Sequence, residues 1–248
     1  MLRRVLVTGL TAGLLAGLFA AAIQIAWITP IILEAEIYES AGAPTGAPDA
    51  ASRPGASGAS FVISAAERLE GPAAEPLEGN EDAWAPEDGI ERTLFTVLAN
   101  VLAGIGYGLI LVAAFTLSGR HVDPRQGVLW GLAGFAVFIL APALGLPPEL
   151  PGMVAADLGA RQTWWIGTVI STAGGLALIV FARHRLLKGL GLALLLVPHA
   201  LGAPHPGQFG GPVPAELAAE FAVASLFTTA LFWTALGGFA GYFHRKIS

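Results

Sequence analysis

The sequence predicts an all-α integral membrane protein with six transmembrane helices and both termini on the cytoplasmic side. Two observations lead to this fold class. Hydrophobic residues make up 54% of the 248 positions and charged residues only 12%, about half the charged share of an ordinary globular domain. The apolar residues are also gathered into six segments, and the charges that flank these segments differ in sign between the two sides.

The distribution of charge sets the predicted orientation. Nine of the 13 Lys and Arg residues fall in the short loops and chain ends of one side. The opposite side, which includes the long segment 34–90, holds 17 of the 18 Asp and Glu residues. Short loops that carry Lys and Arg stay in the cytoplasm. The acidic side is therefore predicted to face outward, where it would attract cations. The nine basic residues are Arg3, Arg4, Arg120, Arg125, Arg183, Arg185, Lys188, Arg245 and Lys246.

The first predicted helix lies within residues 1–33, where an apolar run covers 5–33. A signal peptide has an apolar core of about 7–15 residues, whereas a spanning helix needs about 20. The run is therefore interpreted as an uncleaved first transmembrane helix. Cleavage near the small residues 20–22 is the alternative.

Five more helices form a predicted membrane bundle over residues 91–248, with basic loops on the inner side. The fifth is short for a span, so a partial or re-entrant element is the alternative for it. The predicted ranges are 91–117, 127–146, 163–182, 188–201 and 217–243.

Residues 34–90 form the only long polar segment and are predicted to be an acidic, partly disordered outer loop. Its middle, 41–79, is rich in Ala, Gly, Pro and Ser and has too few large apolar residues to build a core. The carboxylates at its two ends either cap helices or contribute to a cation site.

Two helix ends carry similar sequences, which suggests internal repetition. Pro142-Ala-Leu-Gly-Leu-Pro-Pro-Glu149 closes the third helix, and Pro198-His-Ala-Leu-Gly-Ala-Pro-His-Pro206 closes the fifth. The first helix fits more loosely, at Pro30-Ile-Ile-Leu-Glu34. The pattern predicts three parallel helical hairpins around an axis along the membrane normal, an arrangement found in transporters.

Glycines at every fourth position predict close helix packing, because small residues let helix backbones approach within a membrane. The alternative is that one of these columns contacts a second copy or another protein chain. The columns are Gly9, Gly13 and Gly17 in the first helix, Gly127 and Gly131 in the third, and Gly237 and Gly241 in the sixth.

A candidate metal site lies at the predicted outer boundary, where histidines and carboxylates follow or precede helix ends. Imidazole together with carboxylate suits cobalt, nickel or zinc better than magnesium. Interfacial hydrogen bonding is the alternative for His199 and His205, and Arg161 is predicted to pair with Asp157. The candidate ligands are His199, His205, Glu34, Glu36, Glu39, Glu149, Asp157 and Glu216, with Asp88 nearby.

No catalytic or nucleotide-binding motif is present in the sequence, and the chain is predicted not to be an enzyme. The lack of a basic stripe beyond the inner loops argues against a nucleic-acid partner. No carboxylate lies deep within a predicted helix. The polar residues at depth, Asn100, Ser171, Thr228 and Thr229, are of types that commonly cross-link membrane helices.

Four blocks resemble the CbtA family of predicted cobalt transporter subunits, in family order and over nearly the whole chain outside the first loop. They are Leu33-Glu-Ala-Glu-Ile-Tyr-Glu39, Trp84-Ala-Pro-Glu-Asp-Gly-Ile-Glu-Arg-Thr93, the Pro142 block continued through Ala155-Ala-Asp-Leu-Gly-Ala-Arg-Gln-Thr-Trp-Trp165, and the Pro198 block.

The resemblance implies a multi-pass protein of the bacterial inner membrane that takes up cobalt for cobalamin synthesis. It also implies a small partner protein with one membrane helix and a histidine-rich tail. Many relatives carry histidines in the first outer loop, but this chain has none in 34–90. That difference shifts the expected metal contact to His199, His205 and the acidic helix ends.

Two functional hypotheses follow. The first is a permease subunit for cobalt, or a related metal such as nickel, with the ion as transported substrate and no permanently bound cofactor. The second is a non-transporting membrane scaffold that assembles with another membrane protein.

Overall fold

The computed structural model describes residues 2–42, 86–87, 89–207 and 210–247, and within these ranges the chain forms six helices and no strand. The predicted all-α class is confirmed. Trp84, Asp88 and the middle of the acidic loop lie outside the described residues. The helices are α1 (Leu2–Ile23, a π-helical turn Gln24–Ile28, and Thr29–Gly42), α2 (Ile90–Ser118), α3 (Pro124–Phe135, a π-helical turn Ala136–Leu140, and Ala141–Ala143), α4 (Leu158–Phe181), α5 (Arg185–Leu201) and α6 (Ala215–Lys246).

Five of the six helices are long and apolar enough to cross a membrane, and the exception is α5, with 17 residues. The number of spans, their orientation and the hairpin repeats therefore remain predictions. α1 continues beyond Leu33 to Gly42, so the carboxylates at 34, 36 and 39 lie on its last turns.

Two helices begin at aspartate caps. The Asp123 carboxylate accepts a hydrogen bond from the Gln126 amide at 2.8 Å, with Pro124 in the first turn of α3. The Asp157 carboxylate accepts one from the Ala160 amide at 2.8 Å. Such caps satisfy amide groups that the first helical turn leaves unpaired. The second cap makes α4 begin at Leu158, earlier than predicted.

The π-helical turns of α1 and α3 each end two residues before a proline, Pro30 and Pro142. A proline within a helix has no amide hydrogen, and its ring clashes with the carbonyl four residues earlier. In both helices the preceding amide reaches one residue further back, from Thr29 to the Gln24 carbonyl and from Ala141 to the Ala136 carbonyl. The wider turn accommodates the proline without ending the helix.

Glycine columns bring the helices together, as predicted, and their partners lie in the same chain. A Cβ atom on Gly17 of α1 would lie 2.6 Å from the Asn100 carbonyl oxygen of α2, and one on Gly104 would lie 2.5 Å from the Gly13 carbonyl oxygen. Gly127 of α3 and Gly237 of α6 meet in the same way. α1 thus packs against α2 and α6, and α6 packs against α3.

Basic residues from several helices and one loop meet at one end of the bundle, here called the basic end. The Arg4 guanidinium donates a hydrogen bond to the His244 carbonyl at 2.8 Å, which joins the start of α1 to the end of α6. The Phe115 and His244 rings lie 5.7 Å apart. The Arg120 guanidinium lies 4.8 Å from the centre of the Phe181 ring at the end of α4. This grouping agrees with the predicted separation of charge.

Candidate functional site

The opposite, acidic end of the bundle is held together by a small apolar cluster beneath its loops, here called the outer cluster. The 144–157 loop contributes Leu150, and it meets the 202–214 loop through a hydrogen bond from the Val154 amide to the Gly210 carbonyl at 3.2 Å. The cluster thereby positions the acidic end of α1 beside both loops. Its buried members are Ile28, Ile31, Ile32, Ala35, Leu150, Leu217, Phe221 and Ala224.

Glu36 forms a bidentate ion pair with Arg92 across the α1–α2 interface. Its two carboxylate oxygens lie 2.5 Å and 3.3 Å from the guanidinium nitrogens. Arg92 is buried, with 8% of its surface exposed, although it lies in the first turn of α2. Paired in this way, Glu36 neutralises a buried cation, and a metal ion would have to compete with the guanidinium for its oxygens.

Glu149 forms the second ion pair of the acidic end, with the Arg161 guanidinium of α4 at 2.7 Å. The predicted partner of Arg161 was Asp157, and that prediction is wrong. Asp157 precedes α4 and turns its carboxylate to the Ala160 amide, so the two side chains do not lie on one helical face. The loop carboxylate at 149 reaches the guanidinium instead.

His199 lies half-buried in the last turn of α5, beside the buried Pro198. Its ring lies edge-on to the Trp164 ring of α4, with ring centres 6.1 Å apart. His205, Glu34, Glu39, Asp157 and Glu216 are exposed at the same end of the molecule. Among the residues that the structure describes, no three His, Asp or Glu side chains come close enough together to hold a metal ion.

A second polar region lies within the bundle, between α1 and α2. The Asn100 side-chain amide donates hydrogen bonds to the Gln24 side-chain oxygen and to the Thr96 carbonyl, both at 2.8 Å. The Thr96 hydroxyl donates in turn to the Arg92 carbonyl at 2.8 Å. These residues form a column that runs from the Glu36–Arg92 ion pair into the interior. Gln24, Thr96 and Asn100 are all buried, with exposed fractions of 7%, 4% and 3%.

Helix α6 faces this region with hydroxyl groups. Ser225, Thr228 and Thr229 are all buried in α6. Phe227 of the same helix contacts Trp27 of the π-helical turn, with ring centres 5.9 Å apart. The π-helical turn that contains Gln24 packs against α6. We call the six side chains Gln24, Thr96, Asn100, Ser225, Thr228 and Thr229 the polar layer.

Three of these residues, Asn100, Thr228 and Thr229, are predicted from the sequence to be polar groups at depth, whereas Gln24, Thr96 and Ser225 are not. Gln24 is the only amide side chain in the apolar run 5–33, and that isolation is a signal that could have identified it. The pairing of Glu36 with Arg92 joins positions 56 residues apart, so helical spacing carries no information about it.

A comparison with protein families gives the chain its family. The family model "Probable cobalt transporter subunit (CbtA)" matches residues 2–245. The chain belongs to this family. No curated protein and no solved structure matches it.

Membership in the CbtA family agrees with the helical architecture. A transporter component with five long apolar helices is a multi-pass membrane protein, and the family description concerns transport of cobalt as part of a larger transporter. The resemblance noted in the sequence is thereby confirmed. A transport role also agrees with the lack of a catalytic motif in the sequence.

Proposed function

We propose that this chain is a permease subunit that takes up cobalt(II) across the bacterial inner membrane. Membership in a family of probable cobalt transporter subunits is the observation that carries the proposal. The separation of charge supports its direction, because acidic residues gather at one end of the bundle and basic residues at the other. With the basic end in the cytoplasm, the acidic end attracts divalent cations from outside.

The acidic end supplies two kinds of metal donor. Glu34, Glu39 and Glu216 offer exposed carboxylates, and His199 and His205 offer imidazoles. Carboxylates raise the local concentration of any divalent cation, whereas imidazole favours cobalt and nickel over magnesium. We therefore propose cobalt as the main substrate and nickel as a competing one, with supply of cobalt for cobalamin synthesis as the physiological role.

The partner is proposed to be a small membrane protein with one helix and a histidine-rich tail. This chain has no histidine in 34–90, so capture of dilute metal would fall to the partner. Transfer to the acidic end of this chain would then follow. The chain contains no nucleotide-binding motif, so energy for uptake comes from an ion gradient, the membrane potential or another protein.

Uptake of radiolabelled cobalt(II) in cells that lack their own cobalt uptake tests the proposal. Four strains are compared: empty vector, this chain alone, the partner alone, and both together. Uptake above the empty vector is expected only in strains with this chain, and a tenfold excess of nickel should reduce it while magnesium does not. Equal uptake in all four strains, with the chain present in the membrane, would favour the scaffold hypothesis.

A further inference from the structure

The polar layer separates two apolar cores of the bundle. The core toward the basic end contains Ala20 of α1 and Phe232 of α6, whereas the outer cluster contains Ile28 and Ala224. Between these limits, every buried α6 residue carries a hydroxyl, and the buried α1 residues are Ala21 and Gln24. Polar side chains from three helices therefore occupy one level, with apolar packing on both sides.

Helix packing alone does not explain why the polar layer contains buried hydroxyl groups. The Ser225 and Thr228 hydroxyl oxygens are buried and have no hydrogen-bond partner among the described residues, although 4% and 8% of each residue is exposed. A buried hydroxyl without a partner costs about 1–3 kcal/mol, so alanine and valine would stabilise the bundle better here. Thr8 and Thr172 also have buried hydroxyls without a partner in the described part of the chain, but those of Ser225 and Thr228 lie at the level of the buried amide pair Gln24–Asn100. This grouping of polar groups points to a ligand that enters the layer.

The chemistry of the layer suits a hydrated cation. Its metal-facing atoms are neutral oxygens of amides and hydroxyls. A hard divalent cation takes such oxygens as ligands, and its bound waters donate hydrogen bonds to them. A permeating ion must bind well enough to enter and weakly enough to leave. A carboxylate at this depth would hold a divalent cation strongly, whereas neutral oxygens exchange with water at little cost. Glu36 and Arg92, the charged pair at the end of the column, neutralise each other.

We propose that the polar layer is a transient mid-membrane binding site for a partly hydrated divalent cation on its way through the protein. The proposal rests on the transport function proposed above and names the part of the chain through which the ion passes. His199 and the exposed carboxylates select the ion at the surface, and the polar layer replaces part of its hydration shell within the membrane.

The absence of cysteine from the chain allows a direct test. Ser225→Cys and Thr228→Cys exchange one small polar group for another, and Thr172→Cys is the matched control. Thr172 is also buried with an unpartnered hydroxyl, but it lies on α4, which packs against α3 and α5 rather than around the layer. Each variant is expressed with the partner in intact cells and treated with a charged, membrane-impermeant methanethiosulfonate.

Ser225→Cys and Thr228→Cys should react roughly tenfold faster than Thr172→Cys, because a thiol in dry apolar surroundings has a raised pKa and only the thiolate reacts. Millimolar cobalt(II) should slow the reaction of the two layer variants and leave the control unchanged. Two results would overturn the inference: layer thiols as unreactive as the control, or layer thiols that react at a rate independent of cobalt.

Transport by isosteric variants separates this inference from the proposed function. Thr228→Val should lower cobalt uptake roughly tenfold, the effect of losing one polar contact, while Thr172→Val retains it. If the unsubstituted chain transports cobalt and Thr228→Val transports it equally well, the layer is not the path but the transport function stands. If the unsubstituted chain transports no cobalt, the transport function itself fails.

Discussion

Two helix pairs in this protein meet at close glycine contacts, but only one of the two pairs is covered by a third helix. In the α1–α2 pair, Gly17 and Gly104 bring the backbones together, and in the α4–α5 pair Gly175 and Gly191 do so, with a Cβ on Gly175 lying 2.6 Å from the Gly191 carbonyl oxygen. Helix α6 covers the first pair. The second pair lies at the side of the bundle, and its α5 leucines are largely exposed.

The covered and uncovered interfaces contain different polar groups. The α1–α2 interface holds a buried ion pair and an amide pair. The α4–α5 interface holds a side-chain hydrogen bond from the Ser171 hydroxyl to the Leu194 carbonyl at 2.5 Å. Polar groups are tolerated inside a membrane protein where neighbouring helices surround and satisfy them. The enclosed core of α1, α2 and α6 therefore holds the polar groups of the proposed ion path, whereas α4 and α5 pack at its side.

The largest expected effect comes from filling the glycine contact of the enclosed pair. A Cβ on Gly13 would lie 2.5 Å from the Ile105 Cα atom, so Gly13→Val must push α1 and α2 apart. We expect a loss of about 3 kcal/mol, at the upper end of the cost of overpacking. Thermal unfolding in detergent and size-exclusion chromatography measure the loss.

Gly106→Val is the matched control, because a Cβ there meets nothing within 4 Å. Gly175→Val should destabilise the α4–α5 pair and leave the α1–α2 core folded. If Gly175→Val and Gly13→Val disrupt the whole protein equally, the two pairs are not independent and the comparison fails.

The ion pairs provide the next test. Arg92→Leu should cost about 3 kcal/mol, because it leaves the Glu36 carboxylate partly buried without its partner. Arg161→Leu should cost less, about 2 kcal/mol, because its pair with Glu149 is somewhat more exposed, at 18% and 23% of the two side chains against 10% and 20%. Urea or heat unfolding of purified protein measures both changes.

A double variant refines this test. Adding Glu36→Leu to Arg92→Leu removes both charges and should recover most of the lost stability. A double variant that is as unstable as Arg92→Leu alone would mean that the guanidinium acts through other contacts.

A smaller effect, on transport alone, is expected at the entrance. His199→Gln keeps size and polarity but weakens metal binding, so cobalt affinity should fall roughly tenfold with no change in membrane abundance.

The kinetics of radiolabelled uptake over a range of cobalt concentrations provide the measurement. His184→Gln at the basic end is the control and should behave like the unsubstituted chain. Unchanged uptake by His199→Gln at trace cobalt would leave His199 as a partner of the Trp164 ring only.

The smallest effect is expected at the polar contact of the peripheral pair. Ser171→Ala should cost about 0.6 kcal/mol, the average for a hydrogen bond between membrane helices. Thr11→Ala is its control, because the Thr11 hydroxyl bonds within its own helix, to the Val7 carbonyl. A cost above about 2 kcal/mol for Ser171→Ala in unfolding assays, beyond the largest such bonds measured, would contradict a merely supporting role for α4 and α5.

Those parts of the fold that depend on local pattern could be predicted from the sequence. Apolar length predicted most helix ends to within three residues, and the glycine spacing predicted the close contacts. The exceptions are the end of α1, which continues to Gly42, and the start of α4, which Asp157 caps at Leu158. The partner of Arg161 could not be obtained in this way. The prediction assumed one helical face for residues 157 and 161, but Asp157 is a cap, and the true partner comes from a loop whose path depends on tertiary packing.

The candidate site also has a part that could be predicted from the sequence and a part that could not. The helix ends that carry His199 and the carboxylates follow from charge and apolar length, whereas the polar layer depends on which faces of α1, α2 and α6 meet. Gln24 lies in a π-helical turn, where regular periodicity no longer assigns a residue to a face. Its role therefore becomes visible only once Asn100 is found opposite it.

The π-helical turn in α1 also determines the direction in which the later side chains of α1 point around the helix axis. One additional residue in a helix turns the subsequent side chains by about 100° around the axis relative to an uninterrupted α-helix. The half of α1 beyond Ile28 is thus rotated so that Ala35 and Glu36 point toward the bundle. If the wide turn were lost at constant chain length, that half would swing by about the same angle and Glu36 would turn away from Arg92. Deletion of Ala26 would remove the wide turn and its additional residue together, so Glu36 should stay on its present face and keep its partner. The wide turn thereby keeps the acidic end aligned with the helices below it despite the additional residue.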